Sequence, residues 1–191
     1  MLKELISRTQ RNHGLEHATI HVLSEHHKNF SAQGNSTHNG FFLNIYGDLS
    51  EEAVEQAVQE AYTRMKNGEH HLAVHPNCGT VLLTTATMVT LASQTALALE
   101  QKRQRQATPS VVTLLAALPS AVLAGVVALI VARPVGLALQ AKYTTSGDLG
   151  NLRVARVYKM RPSPVTRLFK LLLAAGSDLK TTAYRVETVF N

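Results

Sequence analysis

All nine histidines of this chain lie within its first 75 residues, and three of them form one array: His13, His17 and His21, with Glu16 set among them. In a helix, positions i, i+3, i+4 and i+8 fall on one side. Imidazole is the commonest protein ligand for zinc and similar metals. The pattern His13-Gly-Leu-Glu16-His17 has the spacing H-x-x-E-H. Two histidines at i and i+4 can reach one metal, and the adjacent glutamate can take a proton from water held there. The alternative is a polar helix face that happens to be rich in histidine.

A mononuclear catalytic site needs a third protein ligand and one open position. His21 is nearest in sequence, one turn further on. Three ligands at four-residue spacing on one straight helix extend over about 12 Å, too far for one metal. A better source is His75-Pro-Asn-Cys78-Gly-Thr, where Pro76 and Gly79 set a tight turn. That turn would present His75 and Cys78 at the start of a helix, where the dipole favours a thiolate. The expected set is His13 and His17 with Cys78 or His75 as metal ligands, Zn2+ as the metal, and Glu16 as catalytic base. An ordinary helix-entry loop with an inert cysteine is the plainer account of the turn, and a Cys78 nucleophile with His75 as its base is a third. Asn12 and Thr19 flank the array as hydrogen-bond partners for the ligands. His26, His27, His70 and His71 read as solvated pairs, and His38 as a loop residue.

These residues need elements to hold them. Residues 2–27 read as a helix with Gly14 as its weak point. Residues 33–40 are turn-rich, and Phe41 to Tyr46 follow as a strand. Asp48 to Ser50 cap a helix that starts with Glu51 and Glu52, where the dipole favours acids, and ends near Lys66 at Asn67-Gly68. Residues 70–74 read as a second strand, so strand, helix, strand implies a parallel crossover.

Two uncharged stretches dominate the middle: 79–99 and 111–132. About 20 apolar residues span a bilayer core as a helix. The first carries Thr80, Thr84, Thr85, Thr87, Thr90 and Thr95, whose hydroxyls can bond back to helix carbonyls. A buried hairpin in a soluble core is the alternative. The linker holds Lys102, Arg103 and Arg105, which favours a cytoplasmic linker. Arg64, Lys66, Arg133 and Lys142 on the flanks pull the other way. With an N-terminus too short in apolar residues for a signal peptide, the flanking domains are placed in the cytoplasm. Arg133-Pro134 is expected to break or kink the second helix. Residues 149–159 and 182–190 read as strands, and 166–175 as a short basic, apolar helix.

The formal charge of +6 is spread along the chain, and there is no tryptophan. That suits a membrane surface and excludes a basic-aromatic nucleic-acid signature. One cysteine excludes an intrachain disulfide framework.

The segments Arg11 to His21 and His75 to Thr80, with the hairpin after them, resemble a family of uncharacterised bacterial integral membrane proteins. The resemblance extends to Ile45-Tyr-Gly-Asp48 and Gly68-Glu69, and it implies no activity. Separately, His13, Glu16 and His17 resemble, over five residues, the motif of inverted-motif zinc peptidases. That likeness implies two zinc-binding histidines, a glutamate base and a third, glutamate ligand, for which Glu55, Glu60 and Glu69 are available.

The expected protein is an α+β membrane protein with three parts. Residues 1–78 form a small α/β domain, 79–132 a transmembrane hairpin, and 133–191 an α/β segment that packs on the first domain. Its expected function is that of a membrane-anchored, zinc-dependent hydrolase acting on a peptide or amide. The alternative is a non-catalytic membrane protein of structural, metal-binding or sensing role. The lipid bilayer is the expected partner, nucleic acid is not, and self-association is open.

Overall fold

The computed structural model describes residues 1–105, 108, 110–163, 166 and 180–190. They form two compact units: Met1–His75 with Ala141–Asn191, and Pro76–Gln140.

In the first unit the long helix α1 (Leu2–His26) buries Leu15, Ala18, Val22 and Leu23 completely. Their spacing is that of a core-facing stripe. Helix α2 (Glu51–Lys66) starts at Ser50, whose hydroxyl accepts from the Ala53 N–H at 3.2 Å. Glu51 and Glu52 occupy its first turn, Arg64 and Lys66 its last, each at the favourable end of the dipole. It stops at Asn67, and Gly68 turns the chain with φ 101°, which a side chain would resist.

Four strands form one sheet: β1 (Ser31–Thr37), β2 (Gly40–Tyr46), β3 (Leu152–Met160) and β4 (Thr181–Phe190). Their order is β1-β2-β4-β3, and every pairing is antiparallel. The fold is therefore mixed α+β, with no parallel crossover among the described residues. Residues His70–Ala73, expected as a strand, form a short 3-10 helix. Residues 31–37, expected in large part as a turn, form β1. The tight connection is only His38 and Asn39, with Gly40 at φ 128°. Phe41, Leu43 and Ile45 of β2 and Tyr184 and Val186 of β4 face the core, where Val54 and Val58 of α2 join them. The expected helix at 166–175 lies outside the described residues, Thr166 apart.

Gly14 is a point of contact rather than a weakness. A Cβ there would lie 2.2 Å from the Ser146 carbonyl oxygen, and the Ser146 N–H donates to the Gln10 carbonyl at 2.9 Å. Glycine lets the segment after residue 144 press directly on α1.

The second unit is a pair of helices, α3 (Gly79–Arg103) and α4 (Val111–Leu139). Cys78 caps α3, its sulfur accepting from the Thr80 N–H at 3.5 Å. Gly136 of α4 meets Val81 near the start of α3, and a Cβ there would lie 2.9 Å from the Val81 Cα. At the other end Thr113 donates to Gln104 at 3.0 Å, so the helices run antiparallel. Both are long and apolar enough to cross a membrane. Pro134 does not end α4, which runs through Pro119 and Pro134 to Leu139 before a wider π turn over Gln140–Thr144. A proline deletes one N–H from the ladder, and the bonds on either side carry the helix past it.

Asn12 is fully buried and ties α1 to the sheet at two points. Its side-chain N–H donates to the Thr37 carbonyl at 2.8 Å, and its oxygen accepts from the Thr188 hydroxyl at 2.8 Å. Asn12→Ala leaves the buried Thr188 hydroxyl and the half-buried Thr37 carbonyl without this partner. It should lower the unfolding free energy by about 2–3 kcal/mol, read by denaturant melts of the purified protein.

Candidate metal centre

Helix α1 carries His13 and His17 one turn apart, with ring centres 4.3 Å from each other and candidate ligand atoms within 4.8 Å. His17 is buried, and its Nδ1 lies 2.8 Å from the Ala73 carbonyl oxygen. His13 makes the same kind of bond, its Nδ1 lying 2.9 Å from the Thr144 carbonyl. A carbonyl only accepts, so both rings carry their proton on Nδ1 and, when neutral, the lone pair on Nε2. This is the usual preparation of a metal-binding histidine: the second nitrogen donates to a carbonyl that fixes tautomer and orientation.

His75 joins these rings after the 3-10 helix. Its ring centre is 5.8 Å from that of His17 and 4.9 Å from that of His21. Two imidazoles on one tetrahedral zinc, with bonds near 2.0–2.1 Å, have ring centres about 5 Å apart. The spacings of His13 with His17, and of His17 with His75, lie on either side of that figure. His21 is turned the other way round, its Nε2 donating to the Val74 carbonyl at 2.9 Å, which leaves the lone pair on Nδ1. Burial, and then the charges of His21 and His17, push His75 down to a pKa of about 4. His75 is therefore neutral at physiological pH, the form that binds metals.

Glu16 is buried on the side of α1 that meets β1. The Ser36 hydroxyl donates to its Oε2 at 2.6 Å. A Cβ on Gly34 would lie 2.0 Å from its Oε1. Residues 34 and 36 share one face of the strand. One leaves room for the carboxylate and the other holds it. Neither residue carries a sequence signal of this role beyond being small. Asn12 and Thr19, expected beside the ligands, bond elsewhere: Asn12 to the sheet, and Thr19 to the Leu15 carbonyl at 2.8 Å. The partners that do orient the rings are the backbone carbonyls of residues 73, 74 and 144, which no side-chain pattern announces.

Of the acids available as a further ligand, Glu60 and Glu69 belong to an ion network at the other end of α1. Arg64 lies 2.6 Å from Glu25, 3.4 Å from Glu60 and 2.9 Å from Glu69, and its guanidinium holds Glu69 below the usual carboxylate range. His26 reaches Glu60 at 3.2 Å. The two carboxylates beside His26 thus already face a cation.

An α+β unit that gathers imidazoles, together with a long apolar helical pair, defines the class of protein. The chain belongs to the DUF6391 family, a domain of unknown function, whose profile matches residues 8–157 and so takes in the histidine array, His75, Cys78 and both apolar helices. It is 38% identical over 88 residues to an uncharacterised protein of Picosynechococcus sp.. The match covers 41% of this chain and 42% of that relative, so it spans less than half of either. No solved structure matches.

The depressed His75 pKa has a signed consequence for the metal-free protein. Unfolded, His75 takes its proton near 6.5; folded, only near 4. Between these values the unfolded chain binds more protons, so stability rises with pH. The contribution is complete above 6.5 and lost as pH falls toward 4. Melts of chelator-treated protein across this window should show that slope, and His75→Gln should flatten it.

Proposed function

We propose that this chain is an integral membrane protein, anchored by the hairpin α3–α4, whose cytoplasmic α+β unit binds zinc through His13, His17 and a third ligand from the segment His75 to Cys78. The observation that carries the proposal is the arrangement of His13, His17 and His75. Their ring centres are 4.3 Å apart for His13 with His17 and 5.8 Å for His17 with His75, on either side of the roughly 5 Å that two imidazoles on one zinc would show. Two of the rings are already oriented by backbone carbonyls. His75 is one candidate for the third ligand. Cys78, three residues further along the chain, is the alternative drawn from the sequence. Three imidazoles suit zinc among the common divalent metals, and three protein ligands leave a position open for chemistry.

The proposed activity is hydrolysis of a peptide or another amide. When bound, zinc supplies Lewis acidity. The chain supplies Glu16 as the proton acceptor, its carboxylate buried on the same helix and steadied by Ser36. Support for this step comes from the order of the residues: glutamate directly before the second histidine, as in the inverted zinc-peptidase motif. A purely structural zinc is the second reading. It is favoured by the engagement of Glu16 with β1, which serves packing as well as it would serve catalysis.

Metal content and melting temperature of untagged wild type, Glu16→Gln and His17→Ala separate these readings. Wild type should hold about one zinc per chain, because each imidazole set of this kind takes a single metal. His17→Ala should lose the metal and melt earlier. Glu16→Gln should keep it, since the ligands stay and the amide oxygen still accepts from Ser36. A hydrolase then loses metal-dependent amide cleavage in Glu16→Gln, whereas a structural site loses nothing measurable. Wild type without zinc, with all three proteins equally stable, refutes both readings. His75→Ala against Cys78→Ser, assayed for zinc affinity, identifies the third ligand: His75→Ala should weaken binding by at least about tenfold.

A further inference from the structure

Outside the groove between its helices, the hairpin α3–α4 carries Leu82, Leu83, Leu115, Leu123 and Ile130, all more than half exposed. Bulky aliphatic side chains of this sort suit lipid tails. The groove between the helices has a volume of about 910 Å3. Along α3 it is lined by Met88, Ala92, Thr95 and Ala96, and along α4 by Ser120, Ala124 and Ala128. The steps 88, 92, 95, 99 and 120, 124, 127, 131 alternate between three and four residues, the spacing of a seam that receives another helix. Ala92, Thr95, Ser120 and Ala124 alternate along this seam with the larger Met88, Leu99, Val127 and Val131, so that small positions leave room for large ones of a facing helix.

The groove ends in a charged pair. Glu100 and Arg103 both line it. The Glu100 side chain is 11% exposed and the Arg103 side chain 81%, and the pair is long at 3.7 Å. Gln104 donates to Glu100 at 2.8 Å. The carboxylate is thus sunk in the wall while the guanidinium reaches outward.

We propose that this groove is the contact face for a second copy of the chain, two hairpins meeting groove to groove as a four-helix bundle. All copies of a membrane protein insert in one orientation, so the two-fold axis of a dimer stands along the bilayer normal. Under that axis both grooves lie at one depth, and the Arg103 of each copy meets the Glu100 of the other. The charges of one face are therefore complementary to the same face repeated. A lipid tail offers the groove no such partner. The inference rests on the membrane reading above, not on the metal.

The test is crosslinking in membranes, with single cysteines introduced into a Cys78→Ser background; serine keeps the cap on α3. Ala124→Cys, in the groove, should give a band of twice the chain mass with a short bis-maleimide. Ile130→Cys, exposed outside the groove, should not. Glu100→Arg or Arg103→Glu alone should lose the band, and the two together should restore it. Absence of a band from either cysteine, in protein that stays in the membrane pellet after an alkaline wash, overturns the dimer and leaves the membrane reading intact. Equal bands from both positions also overturn it. Release of the protein into the wash overturns the membrane reading, and the dimer with it.

Discussion

The middle of α1 is buried on every side, and that constraint shapes the first unit. Residues 14 to 20 are all buried, and among them are Glu16, His17 and Thr19, with Asn12 just before. A helix buried all round is ordinarily apolar. This one places polar groups inside, and each must find a hydrogen bond there. The surrounding elements supply them. The hairpin β1–β2 gives the Thr37 carbonyl to Asn12 and the Ser36 hydroxyl to Glu16. The 3-10 helix and the residue after it give carbonyls to His17 and His21, and the end of the π turn gives one to His13. Strand β4 gives the Thr188 hydroxyl to Asn12. The central helix is thus fastened by polar bonds that fix its rotation as well as its depth.

That arrangement explains what could be read from the chain and what could not. The helices were legible for different reasons: α2 from Ser50 before Glu51-Glu52 and Asn67-Gly68 after Lys66, α3 and α4 from their long uncharged runs. Strand β1 was not, because its inner face is Ala32, Gly34 and Ser36, opposite Ile45, Leu43 and Phe41 of β2. Those inner positions are small so that α1 can press against them, and the apolar alternation that announces a strand is erased. Residues 70–74 mislead in the opposite sense. Leu72 and Val74 alternate like a strand, yet the segment turns as a 3-10 helix and spends its carbonyls on histidine rings rather than on a sheet partner. The antiparallel order β1-β2-β4-β3 follows from a pairing of β2 with β4 across some 140 residues, which no local pattern records.

The same holds for the site. His13, Glu16, His17 and His75 are plain in the sequence as residue types at suggestive spacing. Their orientations are not, because what orients them is backbone. Glu16 is the sharpest case. The motif places it beside His17, and a helix brings positions 13, 16 and 17 to neighbouring angles. Only the cradle of Gly34 and Ser36 reveals that its carboxylate is fastened to the sheet. A carboxylate held by a 2.6 Å hydroxyl bond is fixed in position by the strand beside it.

Backbone carbonyls also set the histidines of α1 apart from one another. His13, His17 and His21 follow at four-residue steps, and length alone forbids all three on one metal. The carbonyls draw a second distinction. His13 and His17 donate from Nδ1 and present Nε2, whereas His21 donates from Nε2 and presents Nδ1. The first two rings therefore act as a matched pair and the third does not. His75 sits between them, 5.8 Å from His17 and 4.9 Å from His21, neutral because it is buried among imidazoles. The short 3-10 helix before it thus performs two tasks at once: its last carbonyl sets the tautomer of His17, and two residues later the chain delivers the imidazole that shares His17's neighbourhood.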